Sequence, residues 1–216
     1  MKTDPEIKSK LLQLPYFTLN TLRQLNGGSL VSTRVLLSRW EKSGEVIRIK
    51  RGFYMAKELW LSHKGSDRMI PLLASVIDPQ SYLTGPWVLQ KYQFMTEAVY
   101  EITSATTTHS KVIENDLGRF VYSHIPASLF DHYVEIDCYG VLAHQATPSK
   151  ALFDYLYLQS DAKLLLQSNY NLAEDLRLNL SEWTREWREE FGKIVRECGK
   201  AKMIKINTNL ERYVWR

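Results

Sequence analysis

Near the start of the chain, basic side chains recur at two spacings that together suit a polyanion. Arg34, Ser38, Arg39 and Lys42 stand three to four residues apart or side by side, with Ser32 and Thr33 just ahead of them. Arg48, Lys50 and Arg51 then follow at near-alternate positions. Guanidinium and ammonium groups neutralise phosphates, and arginine with short hydroxyls on a helix can hydrogen-bond base edges. Any one of these cations could equally be a solvated surface group. The succession of a basic helix and a basic strand favours a nucleic-acid contact.

A second candidate is Lys150. It falls in the first turn of a helix opened by Thr147-Pro148, where the helix dipole disfavours a cation by some tenths of a kcal/mol. Such a lysine calls for a bound anion or a carboxylate, which Glu135 or Asp137 on the preceding strand could supply. A solvated stem along the helix edge is the alternative.

Enzyme signatures are weak. The histidines at 63, 109, 124, 132 and 144 have no metal-ligand spacing, and Cys138 and Cys198 form no metal knuckle. Asp131, His132, Glu135 and Asp137 make the only acidic–histidine cluster, read as surface or paired structural carboxylates, with a two-carboxylate metal site on the Glu135–Asp137 strand face as the lesser alternative. A nuclease pairing of the Asp…Glu-x-Lys type fails, because Cys138 and Tyr139 follow Asp137. There is no phosphate-binding Gly-Lys loop, nucleophile elbow or dinucleotide fingerprint. No catalytic residue, metal ligand or cofactor is assigned.

The elements that must position the basic residues are short. Pro5 starts a helix with Ile7, Leu11 and Leu12, and Pro15 ends it. Thr18 caps a second helix, stopped by Asn26-Gly27-Gly28, and Ser32 caps a third that runs to about Lys42 and stops at Gly44. Period two then takes over: Ile47 and Ile49 point one way, Val46, Arg48 and Lys50 the other, and Lys50-Arg51-Gly52 forms a hairpin tip. Three short helices followed by a basic hairpin is the order of a winged helix-turn-helix, in which helix three enters the major groove and the wing follows phosphates. Winged helices also serve as protein-docking modules.

Beyond residue 60, helices are expected from Ser66 or Asp67 to Ile77 and from Thr84-Gly85-Pro86 onward. Strands are expected at Val99–Thr107, Phe120–Ile125, Tyr133–Asp137 and Val141–Ala146. The helix after Thr147 is apolar on nearly every side and should be buried. Trp183, Trp187, Phe191, Ile194, Val195 and Cys198 form a helical stripe read as core, or else as a partner surface. The expected fold is α+β. Residues 1–60 form a winged helix-turn-helix, and residues 61–216 an α+β body with a small, mainly antiparallel sheet and C-terminal helices from about residue 160.

Composition sets the class. The 216 residues are 44% hydrophobic and 24% charged, with a net charge of +4. That is ordinary for a globular chain and excludes global disorder. Residues 1–60 carry eleven Lys/Arg against five Asp/Glu, a net +6, and the remainder seventeen against nineteen, a net −2. No apolar run is long enough for a membrane span and no signal-like stretch opens the chain, so a cytoplasmic protein with reduced thiols and no membrane partner is expected.

Three segments in order carry a resemblance. They are Arg51-Gly52-Phe53-Tyr54, then Tyr82-Leu83-Thr84-Gly85-Pro86-Trp87-Val88-Leu89, then Ala146-Thr147-Pro148-Ser149-Lys150-Ala151-Leu152-Phe153-Asp154. In order and spacing, over roughly residues 15 to 160, the chain resembles the AbiEi family of abortive-infection antitoxins. The resemblance implies a bacterial transcriptional regulator of a type IV toxin–antitoxin operon that binds double-stranded DNA at its own promoter. It further implies a nucleotidyltransferase toxin as functional partner, counteracted without a stable complex. Two copies on one operator would need inverted half-sites about 34–36 Å apart. The alternatives are a lone winged-helix regulator with a ligand- or protein-sensing body and, ranked below it, a metal-dependent nucleic-acid enzyme.

Overall fold

The helix-forming stretches at the start of the chain are bounded by caps, and the caps set where each element begins. The computed structural model describes residues 5–159 and 171–215; the polar opening Met1–Asp4 and the expected onset of the C-terminal helices near residue 160 lie outside them. The chain divides into two compact units. The first holds Met1–Pro79, Ile113–Arg119 and Ile136–Ala143, and the second Gln80–Val112, Phe120–Glu135 and His144–Arg216. The boundary expected at residue 60 therefore falls inside the first unit.

In the first unit the order is α1 (Pro5–Leu12), β1 (Phe17–Thr18), α2 (Leu19–Asn26), α3 (Leu30–Ser43), β2 (Val46–Lys50), β3 (Phe53–Ala56), α4 (Lys57–His63) and α5 (Met69–Ile77). Thr18 caps α2 as expected: its hydroxyl accepts from Thr21 N at 3.2 Å, and Thr18 N donates back to Thr21 Oγ1. Gly27 ends α2 and Gly44 ends α3, both with the left-handed φ that glycine tolerates. The cap of α3 differs from expectation. Ser29, not Ser32, is the N-cap, and its Oγ accepts from Ser32 N at 3.1 Å. The physical reason is local: Asn26 Oδ1 takes Gly28 N at 2.8 Å, which lets the chain turn directly into the helix. Ser29→Ala is expected to cost about 1 kcal/mol in equilibrium denaturation and Ser32→Ala distinctly less; the reverse order would relocate the cap.

A three-stranded sheet, ordered β1-β3-β2, closes behind the helices, with Phe17 opposite Tyr54 and Val46 opposite Ala56. Leu11, Phe17, Leu22, Leu37, Trp40 and Val46 form the core between helices and sheet. Ile47 and Ile49 of β2 are also buried, and α5 packs against that strand. Both faces of the hairpin base are thus covered, which fixes its register. The helix α4 was not anticipated. The helix α5 begins later than Ser66 or Asp67, with Arg68 at its N-cap, and Ser66 instead accepts from Arg68 N.

The remaining elements are β4 (Ser81–Leu83), α6 (Gly85–Lys91), β5 (Glu101–Thr106), β6 (Lys111–Asn115), β7 (Gly118–His124), β8 (Tyr133–Cys138), β9 (Val141–Ala146), α7 (Pro148–Leu158), α8 (Leu172–Asp175), α9 (Arg185–Cys198) and α10 (Ala201–Tyr213). The fold is mixed α+β. Its larger sheet has six strands in the order β6-β7-β5-β4-β9-β8. The sheet is larger than expected and is mixed. Strand β4 pairs antiparallel with β5 and parallel with β9, and neither β4 nor β6 was legible as a strand. Helix α7 is buried along most of its length and packs against α6 and α9. Trp183, Phe191, Ile194 and Val195 are buried, so most of the apolar stripe is core. No helix among the described residues is long and apolar enough to cross a membrane.

Candidate nucleic-acid interface

Helix α3 turns Thr33, Leu37 and Trp40 inward at helical spacing. That leaves Arg34, Ser38, Arg39, Glu41 and Lys42 exposed to solvent. The β2–β3 hairpin presents Arg48 and Arg51 outward, and Gly52 makes its turn at φ 86°. The two surfaces meet in an open groove of about 410 Å³, where Arg34, Ser38 and Glu41 face Arg48, Arg51 and Tyr54. Three arginines therefore line one concavity, with a single acidic residue among them. At neutral pH that surface attracts an anion, and three planar donors suit phosphate oxygens. Glu41 and Tyr54 were not among the anticipated site residues; Glu41 shares the face of Arg34 and Ser38 at helical spacing, whereas Tyr54 is brought to the groove by the fold.

Some anticipated residues do not belong to this surface. Thr33 is fully buried, and its hydroxyl donates to Ser29 O at 2.8 Å. It cannot reach a ligand, because its position faces the body of the unit one hundred degrees short of Arg34. Lys50 is not a free wing-tip cation either: its ammonium donates to Ile77 O at 3.3 Å and lies 4.5 Å from the Phe53 ring centroid. A register shift between Arg48 and Lys50 accompanies that placement. Ser32 is exposed, its hydroxyl already bonded to Ser29 O. Arg39 and Lys42 are exposed outside the groove.

In the second unit the structure corrects the partners of Lys150. Lys150 is wholly buried, which overturns the solvated-stem alternative. Its Nζ donates to Leu129 O at 2.5 Å and lies 3.2 Å from Asp154 Oδ1 and 3.4 Å from Asp131 Oδ1. Neither Glu135 nor Asp137 pairs with it. Glu135 is exposed, 3.7 Å from His144 Nε2, and Asp137 accepts from Gly140 N in the β8–β9 turn. Asp154 Oδ2 accepts hydroxyls from Tyr82 and Thr84, each at 2.8 Å. Burial pushes the Asp154 carboxyl up from its ordinary range, opposed by Lys150 and these donors. Burial, reinforced by the neighbouring Asp154, likewise raises the Tyr82 phenol and keeps it a neutral donor. An aspartate one turn after the lysine was visible in the sequence as an i,i+4 pair.

The acidic–histidine cluster also changes membership. Asp131 and His132 stay together, but Glu197 and Glu190 of α9 join them in place of Glu135 and Asp137. His132 Nε2 lies 3.1 Å from Glu197 Oε2, and its Nδ1 lies 3.4 Å from Glu190 Oε1. The hydrogen bond from His132 holds the Glu197 carboxyl below its usual range. Asp131, His132 and Glu197 could each offer one ligand atom to a cation, the three atoms lying within 4.8 Å of one another.

No family model matches the chain, and no curated protein is significantly similar to it. Among the described residues, Arg34, Arg48 and Arg51 lining one groove are the arrangement that bears most directly on function.

Proposed function

We propose that the protein is a DNA-binding transcriptional regulator that recognises a specific duplex through its N-terminal unit. In this reading α2 and α3 are a helix-turn-helix, joined by Gly27-Gly28-Ser29, and the β2–β3 hairpin is its wing. The single observation that carries the reading is the groove in which Arg34 and Ser38 of α3 face Arg48 and Arg51 of the hairpin. Supporting it are the element order α1-β1-α2-α3-β2-β3 and the pairing of β1 with β3, which ties the hairpin to the start of α2. Helix α3 would lie in the major groove while the hairpin follows the phosphates.

By the resemblance noted in the sequence, the regulator would be the antitoxin of a type IV toxin–antitoxin operon in the bacterial cytoplasm. It would repress its own promoter and counteract a nucleotidyltransferase toxin. The proposal gives it no catalytic role.

The test is fluorescence-anisotropy titration of the full chain on the duplex upstream of its own gene and on a scrambled duplex, across a salt series. For three to five phosphate contacts, log K should fall linearly with log salt with a slope of about −3 to −5. The upstream duplex should bind more tightly than the scrambled one. A flat salt response, or equal affinity for both duplexes, would overturn the reading.

A further inference from the structure

Besides Leu30 at its first position, which is 37% exposed, two apolar side chains of α3 serve neither the core nor the helix. Val31 is 72% exposed and Val35 46% exposed, one turn apart. Valine is a poorer helix former than alanine because its β-branch loses rotamer freedom. Neither burial nor helix propensity therefore accounts for the pair. Both stand on the outward face of α3, in line with Arg34, Ser38 and Lys42 at three- and four-residue steps. Val31 lies in the first turn, the part of a recognition helix that comes nearest to base edges.

The surroundings restrict what can cover them. Arg34, Arg39 and Lys42 flank the valines on α3, and Arg48 and Arg51 lie across the groove that Arg34 lines. The occupant must be polyanionic at its rim and apolar at its centre. On the major-groove edge of DNA the C5-methyl of thymine is the apolar group, set between two rows of phosphates.

We infer that Val31 and Val35 read thymine methyl groups, making the preferred site of this protein one with thymines at two defined positions. The inference rests on the DNA-binding reading above. Four residues of helix rise about 6 Å, against about 3.4 Å per base step. The two thymines therefore lie about two base pairs apart.

The experiment begins with duplexes enriched by the full chain from a randomised pool. Each thymine of the enriched site is then replaced singly by deoxyuridine, which removes the methyl and keeps the O4 acceptor. Affinity is expected to fall about two- to fivefold at two thymines about two base pairs apart, the effect of one lost methyl contact. Val31→Ala should abolish the thymine–uracil difference at one of these positions and Val35→Ala at the other. Circular dichroism should be unchanged in both variants, because both side chains are exposed. Enrichment without any uracil effect, or an uracil effect that survives both substitutions, overturns the thymine inference and leaves the DNA reading standing. So does a finding that the valines instead mediate self-association while uracil duplexes bind as tightly as thymine ones. If the pool yields no enriched sequence, both readings fall.

Discussion

Lys150→Met should lower the free energy of unfolding by about 3–5 kcal/mol, the usual cost of breaking one side of a buried ion pair. Lys150 and Asp154 are both wholly buried. The lysine joins three parts of the second unit: Asp154 on its own helix, Leu129 O on the short turn Ala127–Leu129, and Asp131 beyond it. Methionine matches the stem in size but supplies no donor. Leu129 O and the Asp154 carboxylate would then remain buried without the ammonium. Urea unfolding followed by circular dichroism measures the loss. A change under 1 kcal/mol would show that the site relaxes or hydrates instead. Asp154→Leu alone leaves the ammonium short of a carboxylate and strands the Tyr82 and Thr84 hydroxyls. The double variant Lys150→Met with Asp154→Leu should therefore cost less than the sum of the two single changes, because the two groups answer each other.

The second large effect is on DNA. Arg34→Ala is expected to lose about 1–3 kcal/mol of binding on the preferred duplex while scarcely changing affinity for a scrambled one. Arg34 lies near the start of α3, on the face that also bears Val31 and Ser38, where a helix in the major groove meets bases. Arg48 and Arg51 lie on the hairpin, where phosphates are the partners. Replacing both by Ala should weaken the two duplexes alike and make the salt slope shallower by about 2. Lys50 is left intact in this test because its bond to Ile77 O makes it part of the folded unit. All three arginines are exposed, so native circular dichroism should persist. If Arg34→Ala and the hairpin double variant both bind the preferred duplex like wild type, the basic groove serves another partner.

Several elements were legible because their causes lie within a few residues. Thr18 and Thr147 cap α2 and α7, Gly27 and Gly44 stop α2 and α3, and Gly52 turns the hairpin, each through a bond or a φ angle set by near neighbours. The burial of α7 was equally readable, since its apolar residues leave no polar side to face water. At the start of α3 the expected cap, Ser32, gave way to Ser29, because the turn through Asn26 and Gly28 brings the chain into the helix earlier.

The remaining features depended on partners distant along the chain. Strand β4 is three residues long and shows no usable alternation, yet it lies between β5 and β9. Once β9 pairs with β4, Asp154 of α7 meets the Tyr82 and Thr84 hydroxyls some seventy residues away. Lys150 then pairs with Asp154, one turn along its own helix, and with Asp131 across the fold rather than with Glu135 or Asp137. Thr33, Lys50 and His132 were likewise settled by what packs beside them: the inward side of α3, the carbonyl of Ile77 and the carboxylates of α9. The sequence by itself determined that a basic helix ending near Lys42 would be followed by a basic hairpin with its tip at Lys50-Arg51-Gly52. Tertiary structure decided that Arg34, Arg48 and Arg51 share one groove, because the angle between a helix and a hairpin is set by the core of Leu37, Trp40 and Val46 beneath them and not by their spacing along the chain.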